Sequence, residues 1–182
     1  NSDSDGDGLS DGEEDIDGDG LFEPSEGETN ATATDTDGDG YNDFDELNHV
    51  PPLDPNQADS DNDGIEDGEE VGLGTNPLVE DSDGDGLTDA FEVNHVPPYD
   101  PLNPDMDSDG LLDGVEVAGG TDPQDSDSDD DNYDDFSELN HIPVLDPNNP
   151  DMDGDTLLDG DEVAVGLNPI LKDSDEDTIP DG

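Results

Sequence analysis

Apolar residues are sparse along this chain and fall at fixed places. One sits in the middle of each of nine acidic runs: Leu9, Leu21, Tyr41, Ile65, Leu87, Leu111, Tyr133, Leu157 and Ile179. Another follows the glutamate that closes a run, at Leu47, Val71, Val93, Val117, Leu139 and Val163. With Phe44, Phe91 and Phe136, these predict a thin apolar strip joining successive runs. The segments Asp-Gly-Glu-Glu and Asp-Phe-Asp-Glu predict about one helical turn each. Pro51, Pro97 and Pro143 soon follow, and because the residue before proline avoids the helical region, no long helix can form there. Asp54-Pro55, Asp100-Pro101, Asp146-Pro147, Asn76-Pro77 and Asn168-Pro169 read as turns. The expected fold is mostly irregular, with short one-turn helices.

The acidic runs share one pattern, Asp-x-Asp-x-Asp-Gly-apolar-x-Asp-x-x-Glu, complete in residues 3–14. Position 1 is Asp3, Asp15, Asp35, Asp59, Asp81, Asp105, Asp127, Asp151 and Asp173. Position 3 is Asp5, Asp17, Asp37, Asp61, Asp83, Asp107, Asp129, Asp153 and Asp175. Position 5 is Asp7, Asp19, Asp39, Asp63, Asp85, Asp109, Asp131, Asp155 and Asp177. Position 9 is Asp11, Glu23, Asp43, Asp67, Asp89, Asp113, Asp135, Asp159 and Asp181. Position 12 is Glu14, Glu26, Glu46, Glu70, Glu92, Glu116, Glu138 and Glu162. These are the slots from which a twelve-residue loop wraps oxygens around Ca²⁺, and the apolar residue at position 7 adds its backbone carbonyl. Position 6 must turn sharply, which Gly8, Gly20, Gly40, Gly64, Gly86 and Gly110 allow. Asn132 tolerates the left-handed region. Thr156 and Thr178 strain it, so the eighth and ninth sites should be distorted or weaker.

From Asp35 the spacings alternate 24 and 22 residues, a 46-residue double repeat of the kind that builds arrays in which each unit touches its neighbours. The expected division is 1–34 (two loops and a Thr-rich spacer), double repeats 35–80, 81–126 and 127–172, and a fourth starting at 173. A chain that opens in one loop and stops inside another reads as part of a longer array.

Composition sharpens this. Among 182 residues, 59 are acidic and one is basic, for a net charge of −58. Leu, Ile, Val and Phe number 35, which with this charge is the make-up of a disordered chain unless divalent cations cross-link the carboxylates. Such a polyanion excludes nucleic acid and anionic membranes as partners. No apolar run is long enough to insert in a bilayer. There is no cysteine to form a disulfide.

The loops, DSDGDGLTDAFE and DSDNDGIEDGEE among them, resemble the thrombospondin type 3 repeat, most closely its cysteine-free form in bacterial and archaeal surface proteins. The resemblance implies repeats wrapped around a row of calcium ions, with about one ion per loop and room for a second where neighbouring carboxylates meet. It implies an elongated, solenoid-like, calcium-stapled rod on a prokaryotic cell surface or outside the cell. This chain differs from the animal pattern in lacking cysteine and in carrying Glu at position 12. At ~1 mM calcium and a Kd of ~0.1 mM, one site stabilises the bound state by about 1.4 kcal/mol. Nine such sites give roughly 13 kcal/mol, the stability of an ordinary domain. Cytosolic calcium is too low to fill them.

Other candidates are weaker. His49, His95 and His141 recur every 46 residues. Packing is the plainer reading, and a transition-metal or pH-sensing role is the alternative. Asn30 in Asn30-Ala31-Thr32 is a glycosylation candidate. No constellation points to an enzyme. The expected function is a calcium-stiffened stalk, spacer or fibre, with self-association into filaments or glycan bridging as extensions. The rivals are a calcium-buffering or mineral-nucleating polyanion and a dockerin-like binding module, the latter needing about ten helical residues after each loop.

Overall fold

The computed structural model describes residues 2–174 and 176–182. Helices begin where the loop pattern places position 9. They are α1 (Asp11–Glu14), α2 (Asp43–Asn48), α3 (Asp67–Leu73), α4 (Asp89–Asn94), α5 (Asp113–Gly119), α6 (Asp135–Asn140) and α7 (Asp159–Val165), with a 3₁₀ turn at Pro24–Glu26. There is no strand among the described residues. Acidic residues fill each first turn, where the helix dipole favours them. Two stop signals alternate. α3, α5 and α7 end on left-handed Gly74, Gly120 and Gly166, whereas α2, α4 and α6 end on extended His49, His95 and His141, just ahead of the prolines.

The chain divides into two compact units, Asn1–Ser82 with Thr88–Leu102, and Asp83–Leu87 with Asn103–Gly182. In both, the largest buried side chains are carboxylates. In the first unit Glu14, Asp43, Glu46, Asp67, Glu70, Asp89 and Glu92 are at most 1 % exposed; in the second, Asp113, Glu116, Asp135, Glu138, Asp159 and Glu162 are. The buried apolar residues are Leu53, Ile65, Leu87, Tyr99 and Leu145.

The expected apolar strip is therefore corrected in part: Ile65 and Leu87 of position 7 are buried, but the apolar residues expected from the helices are not. Positions 9 and 12, one turn apart, claim the inward face of each helix, which leaves Phe44, Leu47, Val71, Phe91, Phe136 and Leu139 exposed. The other buried apolar residues come from the returning chain. Leu53 N–H donates to Glu46 O at 3.1 Å, Tyr99 N–H to Glu92 O at 3.1 Å, and Leu145 N–H to Glu138 O at 3.2 Å. The Asx-Pro pairs make the expected turns, as in the bond from Gln57 N–H to Asp54 O at 2.9 Å, with their prolines buried.

Residues 15–28 stand outside this order. Asp3 to Asp35 spans 32 residues, ten more than a short half-repeat of 22. Thr29 Oγ1 donates to Glu14 Oε1 at 3.3 Å, just as Thr75 Oγ1 donates to Glu70 Oε1. Asn30 N–H donates to Thr36 Oγ1 at 2.9 Å, as Asn76 N–H does to Ser82 Oγ. A Cβ at Gly8 would lie 3.4 Å from the Phe44 ring. Loop 3–14 is thus a short half-repeat whose neighbour is loop 35–46, and loop 15–26 is an insertion between them. What the sequence suggests is a polar spacer at Thr29 is in fact the short half-repeat resuming.

Candidate calcium sites

Each loop first satisfies itself. In loops 3–14, 15–26, 35–46, 59–70 and 151–162 position 1 accepts from the amide of position 4, as Asp35 Oδ1 does from Gly38 N at 2.7 Å. Position 5 accepts from the amide of position 7, as Asp39 Oδ1 does from Tyr41 N at 2.6 Å and Asp131 Oδ1 from Tyr133 N at 2.7 Å. The apolar residues of position 7 are thereby tied in through their N–H groups. Positions 4 and 6 both take positive φ, and Thr156 and Thr178 do so at 92° and 80° despite their β-branches. Thr156 N–H still donates to Asp151 Oδ2 at 3.1 Å, the bond Gly40 makes to Asp35 at 3.0 Å.

From loop 35–46 onward, each loop then binds the next. The second oxygen of position 5 accepts from position 10 of the following loop. These bonds are Gly68 N to Asp39 at 2.9 Å and Ala90 N to Asp63 at 2.9 Å in the first unit. In the second they are Gly114 N to Asp85 at 3.2 Å, Phe136 N to Asp109 at 3.0 Å, Gly160 N to Asp131 at 2.9 Å and Gly182 N to Asp155 at 2.9 Å. The approach is tight at the glycines: a Cβ on Gly114 or Gly160 would stand 2.5 Å from the carbonyl oxygen of Asp85 or Asp131.

What remains unsatisfied converges. The second oxygens of Asp5, Asp37, Asp61, Asp107 and Asp153 are buried without a hydrogen-bond partner, as are both carboxylate oxygens of Glu46, Glu116, Glu138 and Glu162. Desolvated carboxylate oxygens are costly unless a cation covers them. Oxygens of Asp3, Asp5 and Asp7 lie within 4.8 Å of one another, as do those of Asp35, Asp37 and Asp39. A Ca–O bond of about 2.4 Å puts opposite ligands about 5 Å apart, so each set fits one ion. Buried Asp39, Glu46 and Asp67 form a second such set between two loops. Burial, and then the neighbouring aspartates, push the carboxyls of Glu46, Glu70, Glu116 and Glu138 up to about 8, and those of Glu14 and Glu162 to about 7.

Residues 3–18, 35–49, 59–80, 81–95 and 105–126 match the family model of the bacterial TSP3 repeat. The chain belongs to the thrombospondin type 3 repeat family. Comparison with curated proteins and with solved structures gave no match. As type 3 repeats the loops are calcium-binding, and the clustered carboxylates are compatible with that ion. Loops 127–138 and 151–162, beyond the matched segments, make the same position-5 bonds, within the loop and to the next, as the type 3 repeats before them.

The inserted loop differs. Asp15, Asp17 and Asp19 gather, as do Asp17, Glu23 and Glu26, but all are exposed or half-buried. Its organiser is Glu28, which the repeat pattern does not mark. Buried, it accepts from Ile16 N–H and Glu23 N–H, both at 3.0 Å. It takes over the amide of position 2, which position 9 holds in the other loops. The expected ligand Asp175 lies outside the described residues. The histidines have packing partners: Nδ1 of His49 and of His95 lies 2.8 Å from the carbonyl oxygen two residues on, and His95 stacks on Tyr99 with centroids 4.2 Å apart. Asn30 Oδ1 accepts from Thr32 Oγ1 at 2.8 Å.

Proposed function

We propose that the chain is an extracellular or cell-surface structural segment, a stalk, spacer or fibre element stiffened by calcium, and not an enzyme. The observation that carries this is the nature of the interior: glutamates and aspartates occupy the place that apolar side chains hold in an ordinary domain. An ion in each loop removes the repulsion, and the forward bonds from position 5 to position 10 pass order on to the next loop. Those bonds repeat from loop to loop, and self-association into filaments would extend the same order between chains. No helix of the described residues is long and apolar enough to cross a membrane.

The helices of four to seven residues are shorter than a dockerin-like module requires. A calcium buffer or mineral nucleator would stay flexible when loaded, which the closed hydrogen-bonded loops speak against. Small-angle scattering with and without EDTA separates these readings. The stiffened-segment reading expects a stiff particle of set length with calcium and an expanded, flexible coil without it. Equal flexibility in both states would refute it.

A further inference from the structure

Outside the inserted loop, position 2 sets how much of the position-9 carboxylate is free. Thr36, Ser60 and Ser128 each bind it twice, with the amide on Oδ1 and the hydroxyl on Oδ2. The hydroxyl bonds are 2.6, 2.5 and 2.6 Å long, to Asp43, Asp67 and Asp135. In loops 105–116 and 151–162 that residue is Met106 or Met152. Only the amide bond remains, at 2.8 Å to Asp113 Oδ1 and 2.9 Å to Asp159 Oδ1. Asp113 and Asp159 are fully buried, and their Oδ2 atoms have no hydrogen-bond partner.

The exchange falls where the hydroxyl has one task rather than two. Thr36, Ser82, Ser128 and Ser174 also accept an amide from the preceding turn at 2.9 Å: Asn30, Asn76, Asp122 and Asn168. Asp159 lies beside Asp131 and Glu138 of the loop before it. Asp131, Glu138 and Asp159 hold the same loop positions as the gathered set Asp39, Glu46 and Asp67.

We propose that Asp113 and Asp159 bind calcium directly through Oδ2, and that methionine at position 2 makes these two junctions the highest-affinity sites of the chain. The inference rests on the calcium reading above. A hydroxyl on the carboxylate oxygen fills a lone pair and relieves its desolvation before any ion arrives. With methionine, the ion alone can do so.

The test is a Tb³⁺ titration of the full chain, followed by luminescence lifetime and calcium competition. Met152→Ser should weaken one tight site about tenfold and add one water to its bound ion. Met152→Leu, which restores no hydroxyl, should titrate like wild type. Ser60→Met should create an additional tight site. Unchanged affinity in Met152→Ser, or an equal loss in Met152→Leu, would overturn the inference while leaving calcium binding intact. Absence of any tight site in wild type would also overturn it, whereas absence of any Tb³⁺ binding at all would instead remove the calcium reading itself.

Discussion

Loop 15–26 and loop 35–46 spell nearly the same ligands, yet they make different sites. In the second, Asp39 gives one oxygen to its own loop and another to Gly68 of the next, and Glu46 is fully buried. In the first, Leu21 is 62 % exposed, Glu26 is exposed, and no following loop caps the site. A ligand pattern places carboxylates. A neighbouring loop is what dehydrates them and turns them into an interior.

The largest test of this contrast is pH. Burial raises the carboxyls of Glu46, Glu70, Glu116 and Glu138 from their ordinary value near 4.5 to about 8. A raised folded-state pKa means that the folded, cation-free chain binds protons more tightly than the unfolded chain. Their stabilising contribution is complete below about 4.5 and disappears as pH rises through about 8. Scattering should therefore show the cation-free chain compacting between pH 9 and pH 5. At pH 7 calcium binding should release protons, measurable by calorimetry in buffers of different ionisation enthalpy. Proton-free binding at pH 7 would mean that the glutamates are not desolvated.

Contact between loops is tested next. Gly114→Ala drives a Cβ into the Asp85 carbonyl and should cost about 3 kcal/mol in calcium. Gly12→Ala, at the same position of the first loop with nothing within 4 Å, should be neutral or stabilise by up to about 1 kcal/mol. Equal costs in thermal unfolding would deny the tight approach. Ligand removal comes third. At ~1 mM calcium, Glu138→Gln should lose about 1.4 kcal/mol, the contribution of one site, and Glu26→Gln only a few tenths. The smallest effect is expected from excising ten residues between Glu14 and Thr29, which restores the 22-residue spacing. Stability of the remaining loops should change by less than about 1 kcal/mol, because few of their contacts pass through the insertion.

The ligand positions, the sharp turn at position 6, the turn prolines and the shortness of the helices are legible in the sequence because each is local. Contacts that depend on a neighbour are not. Nothing in the pattern distinguishes Asp39 as a bridge to Gly68, or marks Leu53, Tyr99 and Leu145 as buried rather than Leu47 and Phe44. Position 4 escapes too, since Asn62, Ser108 and Asp130 adopt positive φ without being glycine. Two signals were present but easily passed over. Thr29-Asn30 repeats Thr75-Asn76, which exposes the insertion, and Ser, Thr or Met at position 2 reports whether position 9 is clamped.

The central claim is that metal takes the part of the hydrophobic core. Differential scanning calorimetry of the chain at pH 8, first in millimolar calcium and then stripped of divalent ions, tests it most directly. A cooperative transition with calcium and none without it is the expected result. A stripped chain that still melts cooperatively as a compact body would contradict the account.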